Sequence, residues 1–259
     1  MRFIHLLMVL VLSSACGSWV APAHADTLVF HAVSSGQRAL DKGNGGGNPF
    51  ASALIETLGT PLVGPSANPS GRTSPTCAEH VRASFTEHDV LVLDGGVCRR
   101  GIESTVLQLL PTPRILRPGV IGAGAIERVV GSSVSRFAAD SAAPSEPLAS
   151  PGLLEQHYAP HTPAFLVAEH QVDEAIARAP GPVVVVTASA VQLRSPHLVE
   201  PMPTDAESYA AALYATLRRA DEHRAATILV VAPDTAIGEP AIWDAILDRL
   251  SRAARRWNG

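Results

Sequence analysis

Residues Ala164–Thr187, AFLVAEHQVDEAIARAPGPVVVVT, place two apolar runs on either side of a segment with helical periodicity. Ala164–Val167 and Val183–Thr187 have no charged residue, which is how strands covered on both faces read. Between them, the segment near Val172–Arg178 repeats its apolar residues at helical spacing. The same alternation continues to the C-terminus: a long amphipathic helix over Ala206–His223, a strand over Thr227–Val231 and a last helix over Pro240–Arg256. Strand and helix in alternation predict a small parallel α/β domain, Rossmann-like, with helices on its faces, over residues 164–259.

Upstream of this domain, residues 132–150 are rich in Ser, Ala and Pro and read as a linker. Ser150–Pro160, SPGLLEQHYAP, holds too many stiff and polar residues for a passive tether, and residues 132–163 read as the interdomain segment. Residues 49–131 carry a second α/β pattern. Phe50–Leu58 is helix-like and stops at Gly59, Pro61–Val63 is a short strand candidate, and Thr76 is placed to cap a helix through Cys77–Ser84. Val90–Leu93 reads as a buried strand ending in the turn Asp94-Gly95-Gly96. Ser104–Leu110 and Arg114–Leu116 read as further strands, and a helix over Ala125–Val130 stops at Gly131.

With 259 residues, 46% of them hydrophobic and 17% charged, the chain can bury a substantial core, which excludes a disordered or fibrous protein. The net charge of -4 provides no general basic footprint for nucleic acid, and the Arg218-Arg219 and Arg255-Arg256 pairs read as solvated helix faces. Cys16, Cys77 and Cys98 have neither CxxC spacing nor an even count, which argues for reduced thiols rather than zinc or a disulfide framework. His157 and His161 are spaced four apart, but Pro160 between them argues against a helix presenting both to a metal. Arg2, the apolar stretch Phe3–Leu12 and Ala23-His24-Ala25 form a secretory-signal-like leader over residues 1–25; the alternative is a misassigned start or a chance apolar leader. Residues 26–48 begin with a strand-like run, Thr27–Val33, and end in a glycine-rich linker. No Lys-Ser/Thr closes it as a P-loop requires, and Gly119, Gly122 and Gly124 have the wrong order for a dinucleotide fingerprint.

The segment with most chemistry is Gly64–Thr76, GPSANPSGRTSPT, with five hydroxyls, two glycines, an arginine and no acidic residue. Free amides and hydroxyls gathered between a strand and a helix suit a loop that holds phosphate or carboxylate groups, and a Ser/Pro surface turn is the plainer alternative. Taken in order, Ser66-Ala67-Asn68, Ser70-Gly71-Arg72, Ser74-Pro75-Thr76, Asp94-Gly95-Gly96, Glu103-Ser104-Thr105-Val106, Arg114–Gly119, Ser150-Pro151-Gly152 and His157-Tyr158-Ala159-Pro160 resemble the motifs of the Sua5/YrdC/YwlC family, Sua5 type. The resemblance runs from about Pro49 to the C-terminus. It implies the C-terminal portion of a YrdC-like α/β domain followed by the Sua5 C-terminal domain.

The resemblance also implies a reaction: L-threonine, bicarbonate and ATP, with Mg²⁺, are joined into threonylcarbamoyl-AMP with release of diphosphate, for the t6A modification of tRNA. Carried over by position, threonine contacts fall on the Gly64 backbone and Ser104, and ATP contacts on Ser66, Ser74, Arg117 and Tyr158. Asn68 and Arg72, in the same motif, are possible supporting residues that either brace the loop or reach a phosphate. The partners so implied are small molecules, with tRNA-pathway proteins reached only indirectly, and the compartment is the cytoplasm. A linker lying over the nucleotide would let Tyr158 keep water from a labile carbamoyl adenylate.

The chain departs from the family pattern ahead of Pro49. Full-length members carry there a threonine-binding Thr and a Lys/Arg-rich motif for triphosphate and bicarbonate, whereas here the only lysine, Lys42, sits in no matching motif. Synthase activity reduced by truncation is therefore expected. The alternative is an exported or non-catalytic small-molecule-binding module derived from the family.

Overall fold

The computed structural model describes residues 27–29, 53, 57, 67–86, 90–110, 112–136 and 157–259. The leader, Lys42, most of the glycine-rich linker, the strand candidate Pro61–Val63 and the Ser150-Pro151-Gly152 motif lie outside these residues, as do Gly64 and Ser66. Of the helix expected over Phe50–Leu58, Ala53 and Thr57 are described, and both are helical. The chain divides into two compact units, one of residues 1–69 and 74–150, the other of residues 70–73 and 151–259.

The first unit contains β1 (Thr27–Val29), α1 (Ala78–Ser84), β2 (Val90–Val92), β3 (Val106–Gln108), β4 (Arg114–Arg117), α2 (Ala123–Val130) and β5 (Ser135–Arg136). β1 and β2 run parallel. Ala67 and Val81 are wholly buried, and Phe85 and Val92 pack against them, so α1 covers β2 with a small apolar cluster. β3 and β4 are antiparallel, with Val106 opposite Arg117 and a register shift between Val106 and Leu107. A bulge at such a place bends the strand and re-aims the side chains beside it. α2 ends as its sequence predicts: Gly131 takes the left-handed conformation at φ 74° and its N–H donates to the Glu127 carbonyl.

Two expectations for this unit are corrected. Thr76 is not the cap of α1: Cys77 occupies that position without a side-chain cap, and the Thr76 N–H donates 3.1 Å to His80 Nδ1. The Thr76 carbonyl accepts from the Cys98 N–H at 2.8 Å and Cys77 stays extended, so the helix begins one residue later than expected. Nor is the segment after Gly131 linker throughout, because Ser135-Arg136 pairs in parallel with Arg114-Ile115 of β4. Glu127 supports this by accepting the Val134 N–H at 2.8 Å.

The second unit contains β6 (Ala164–Val167), a 3-10 turn (Glu169–Gln171), α3 (Val172–Arg178), β7 (Val183–Thr187), β8 (Leu198–Pro201), α4 (Ala206–Glu222), β9 (Thr227–Val231), α5 (Pro240–Ala253) and β10 (Arg255–Arg256). Its sheet is wholly parallel in the order β10-β6-β9-β7-β8. Val183–Val186 and Ile228–Val230 have no exposed surface, as central strands covered on both faces require. Val183, Val185, Leu229 and Val231 meet Val172 and Ala175 of α3 on one face. α4 and α5 supply Leu213, Leu217, Ile246 and Leu250, all fully buried, at about 1.5–3 kcal/mol for each side chain removed from water.

Sequence periodicity missed the two edge strands. β8 has a single buried position, Glu200, and ends at Pro201, a residue confined to sheet edges. β10 consists of the two arginines read as the end of the last helix. That helix stops at Ala253 because Ala254 is extended, with φ -134° and ψ 138°, so the chain turns to pair with Phe165-Leu166. Of the other arginine pair, Arg218 is half-buried and donates to the Thr73 carbonyl at 2.5 Å, whereas Arg219 is exposed, as expected, and pairs with Glu200 at 3.0 Å. Among the described residues no helix is long and apolar enough to cross a membrane.

Candidate functional site

In the first unit, three separated stretches of sequence meet around Ser104. Ser74, 3% exposed, donates from Oγ to Glu103 Oε1 at 2.6 Å, and Glu103 is itself buried at 6%. Arg117 arrives from the end of β4 and donates through Nε to the Ser104 carbonyl at 3.2 Å. The bulge between Val106 and Leu107 lies directly beyond this contact and permits the Glu103-Ser104-Thr105 segment to face Arg117.

Gly119 explains why the two segments approach so closely. A Cβ placed there would stand 2.5 Å from the Ser104 carbonyl carbon and closer still to the Thr105 nitrogen. Any side chain therefore forces the backbones apart. The approach is held from the other side by Thr105, whose Oγ1 donates to the Ile121 carbonyl at 2.7 Å and accepts the Ile121 N–H at 3.3 Å.

Two polar groups are left over in this cluster. The Ser104 hydroxyl is buried and makes no hydrogen bond among the described residues. Arg117 is 8% exposed and has no carboxylate partner among them. Burying an unbonded hydroxyl costs on the order of 1–3 kcal/mol, and an uncompensated buried cation costs more. A polar, anionic ligand would satisfy both. Asn68 lies in the same unit, 9% exposed, with its side-chain amide donating to the Pro69 carbonyl at 3.1 Å.

Arg72 and Tyr158 belong to the second unit. Residues 70–73 run beside 158–160: the Ala159 N–H donates to the Gly71 carbonyl at 3.0 Å, Arg72 Nη1 to the Pro160 carbonyl at 3.4 Å, and Thr73 Oγ1 to the Tyr158 carbonyl at 3.2 Å. Tyr158 has φ 62°, a left-handed conformation that costs a non-glycine residue about 1–2 kcal/mol. Packing holds it there. Its ring is 2% exposed, lies 5.6 Å from Tyr214, meets His157 edge-on at 4.1 Å and has the Arg249 guanidinium 5.5 Å from its centre. Ser74, Ser104 and Arg117 thus come together in one unit, while Tyr158 and Arg72 are tied down in the other. Sequence reasoning assigned no role to Glu103, Thr105 or Gly119, although all three stand inside the quoted motifs. The signal available was adjacency to Ser104 and Arg117.

Residues 121–255, more than half of the chain, match the family described as "Threonylcarbamoyl-AMP synthase, C-terminal domain", and residues 46–119 match one described as "Telomere recombination". A threonylcarbamoyl-AMP synthase of Bacillus subtilis is 35% identical over 218 residues, covering 80% of this chain and 61% of the relative. One of Pyrococcus abyssi is 38% identical over 124 residues, 46% of this chain and 35% of the relative. The crystal structure of P. abyssi Sua5 complexed with L-threonine superposes with a TM-score of 0.64 at 28% identity, covering 80% of this chain and 63% of that one. A doubly substituted P. abyssi Sua5 gives a TM-score of 0.66 at 26% identity over 82% of this chain and 63% of that one. The chain therefore spans less than two thirds of the length of these relatives. In its ordered motifs, its parallel C-terminal sheet and its family matches, the chain belongs to the Sua5/YrdC family.

Proposed function

We propose that this protein acts as a threonylcarbamoyl-AMP synthase, making threonylcarbamoyl-AMP from L-threonine, bicarbonate and ATP. The observation that carries the reading is the buried pair of the Ser104 hydroxyl and the Arg117 guanidinium, neither with a carboxylate partner among the described residues. In the proposed reaction the threonine amine attacks bicarbonate to give N-carboxythreonine and water. A carboxylate oxygen of this carbamate then attacks the α-phosphorus of ATP, and diphosphate leaves. The bonds formed are N–C, the O–H of the departing water, and O–P; those broken are N–H, C–O and the α–β phosphoanhydride.

Such a sequence needs no protein nucleophile. It needs threonine and nucleotide held in line and the developing phosphate charge neutralised. Ser104 supplies a buried hydroxyl for the polar end of threonine. Arg117 supplies a cation with a planar set of donors suited to phosphate oxygens. Ser74, bonded to Glu103, lies beside them for the nucleotide. Mg²⁺ enters with ATP as its complex. Magnesium is commonly held by one or two carboxylates together with substrate phosphates, and Glu103 is the carboxylate of this cluster. Gly64 and Ser66 complete the threonine and ATP contacts on motif position alone, and Asn68 and Arg72 brace their loop. Tyr158 anchors the segment 157–160 through its buried ring, and we place its contribution to ATP binding there. The product would serve tRNA modification in the cytoplasm.

The reading is tested by diphosphate release from purified, folded protein with MgATP. Release that requires both L-threonine and bicarbonate supports it. Release that ignores the amino acid, or no release at any combination of the three, overturns it.

A further inference from the structure

At the edge of the second unit's sheet, a cavity of about 440 Å³ opens beside β10 and the start of β6. Its wall carries Arg72, Arg252, Arg255 and His161, together with the hydroxyl residues Thr162 and Ser251. No aspartate or glutamate is among the described residues that line it. That is a marked local imbalance in a chain whose net charge is -4.

Nearby acids are already engaged behind the wall. Asp248 accepts from Arg252 at 3.1 and 3.4 Å, and Asp221 accepts the backbone N–H groups of His161 and Thr162 at 2.8 and 2.7 Å. These bonds fix the rim of the cavity. Arg255 differs: it is exposed, and its side chain has no hydrogen bond or ion pair among the described residues. It is the register partner of Phe165 in the parallel β10–β6 pair, so both side chains stand on one face and both line the cavity. Phe165 is in turn braced edge-on by Trp257, with ring centres 5.6 Å apart.

We propose that this cavity binds a small phosphate-bearing anion of the class of diphosphate or a nucleoside phosphate, through residues none of which belongs to the Ser104–Arg117 cluster. Guanidinium groups fit phosphate oxygens in planar, two-point contacts. The volume falls within the range of about 300–1,000 Å³ typical of small-molecule sites, whereas a nucleic-acid backbone is followed along an extended basic surface. An anion there would pair with Arg255, which has no described carboxylate partner, beside Arg72 and the Asp248-bound Arg252.

The test is calorimetric titration of the full chain with diphosphate, AMP and ATP in separate arms, for the unaltered protein, Arg255→Glu, Arg255→Ala and Arg178→Glu. The last carries the same charge change on α3, at an exposed residue paired with Glu174. Saturable binding is expected, weakened on the order of tenfold by Arg255→Ala, more by Arg255→Glu, and unchanged by Arg178→Glu. Diphosphate binding as well as ATP identifies the phosphate chain as the recognised group; binding of AMP and ATP without diphosphate identifies a nucleotide. Absence of saturable binding in every arm overturns the proposal. So does binding indifferent to both Arg255 substitutions, the result expected if the phosphates are held only by the Arg117 cluster.

Discussion

Gly119 and Ser104 make opposite predictions although their atoms are neighbours. At Gly119 a methyl group would enter space held by the Ser104 and Thr105 backbone, which no rotamer can vacate. Gly119→Ala is expected to destabilise the first unit by about 3 kcal/mol, the upper end of overpacking costs, and to abolish turnover. Urea unfolding followed with an activity assay checks both. At Ser104 the hydroxyl is buried without a bond among the described residues, so its removal relieves a desolvation cost. Ser104→Ala is therefore expected to leave stability unchanged or raise it by about 1 kcal/mol while impairing use of threonine, a combination that a structural serine does not give. Thermal unfolding of the variant beside its threonine KM separates the two roles.

Helix α4 starts at Asp205, which accepts the Ser208 N–H at 2.9 Å. This bond, then the Ser208 hydroxyl, holds the Asp205 carboxyl below its ordinary value of 3.8. A carboxyl lowered in the folded state stabilises it above the ordinary value and loses that contribution as pH falls through the folded value. Asp205→Asn retains a good cap with no titrating group. The variant should match the parent in melting temperature near pH 7 and lose less of it between pH 5 and 3, as measured by circular dichroism. At the other contact of this helix terminus, Gly238 has φ 105°, and a Cβ there would lie 2.7 Å from the Ala206 Cβ. Gly238→Ala is expected to cost about 2 kcal/mol, read from the urea midpoint.

The elements most legible from sequence were those with the strongest physical signature. β6, β7, β9 and α3 fall on the residues expected because strands buried on both faces cannot hide their apolar runs, and α3 shows its helical spacing between two of them. β5, β8 and β10 were illegible for the converse reason. Each lies at a sheet edge and is short, and two of them hold only exposed polar residues, so their pairing is decided by the neighbour strand rather than by their own composition.

At the scale of the whole molecule, the sequence separated two α/β patterns, and the structure has a small mixed sheet with a parallel pair in one unit and a five-stranded parallel sheet in the other. The candidate site was legible as motifs but not as geometry. Ser74, Ser104 and Arg117 are far apart in sequence, and it takes the close backbone approach at Gly119 and the register shift in β3 to bring them together. Tyr158 shows the limit from the other side: its motif was plain, but its burial against Tyr214 and Arg249 depends on helices more than fifty residues further along the chain. We propose that Ser104, beside Arg117, contacts threonine. Calorimetric titration of the folded chain with L-threonine tests it most directly, with Ser104→Ala and L-valine, which lacks the ligand hydroxyl, as comparisons. Saturable binding of threonine, weakened about tenfold or more by Ser104→Ala and by the change to valine, is the predicted result. Equal binding of threonine by the parent and Ser104→Ala, or no preference for threonine over valine, would contradict it.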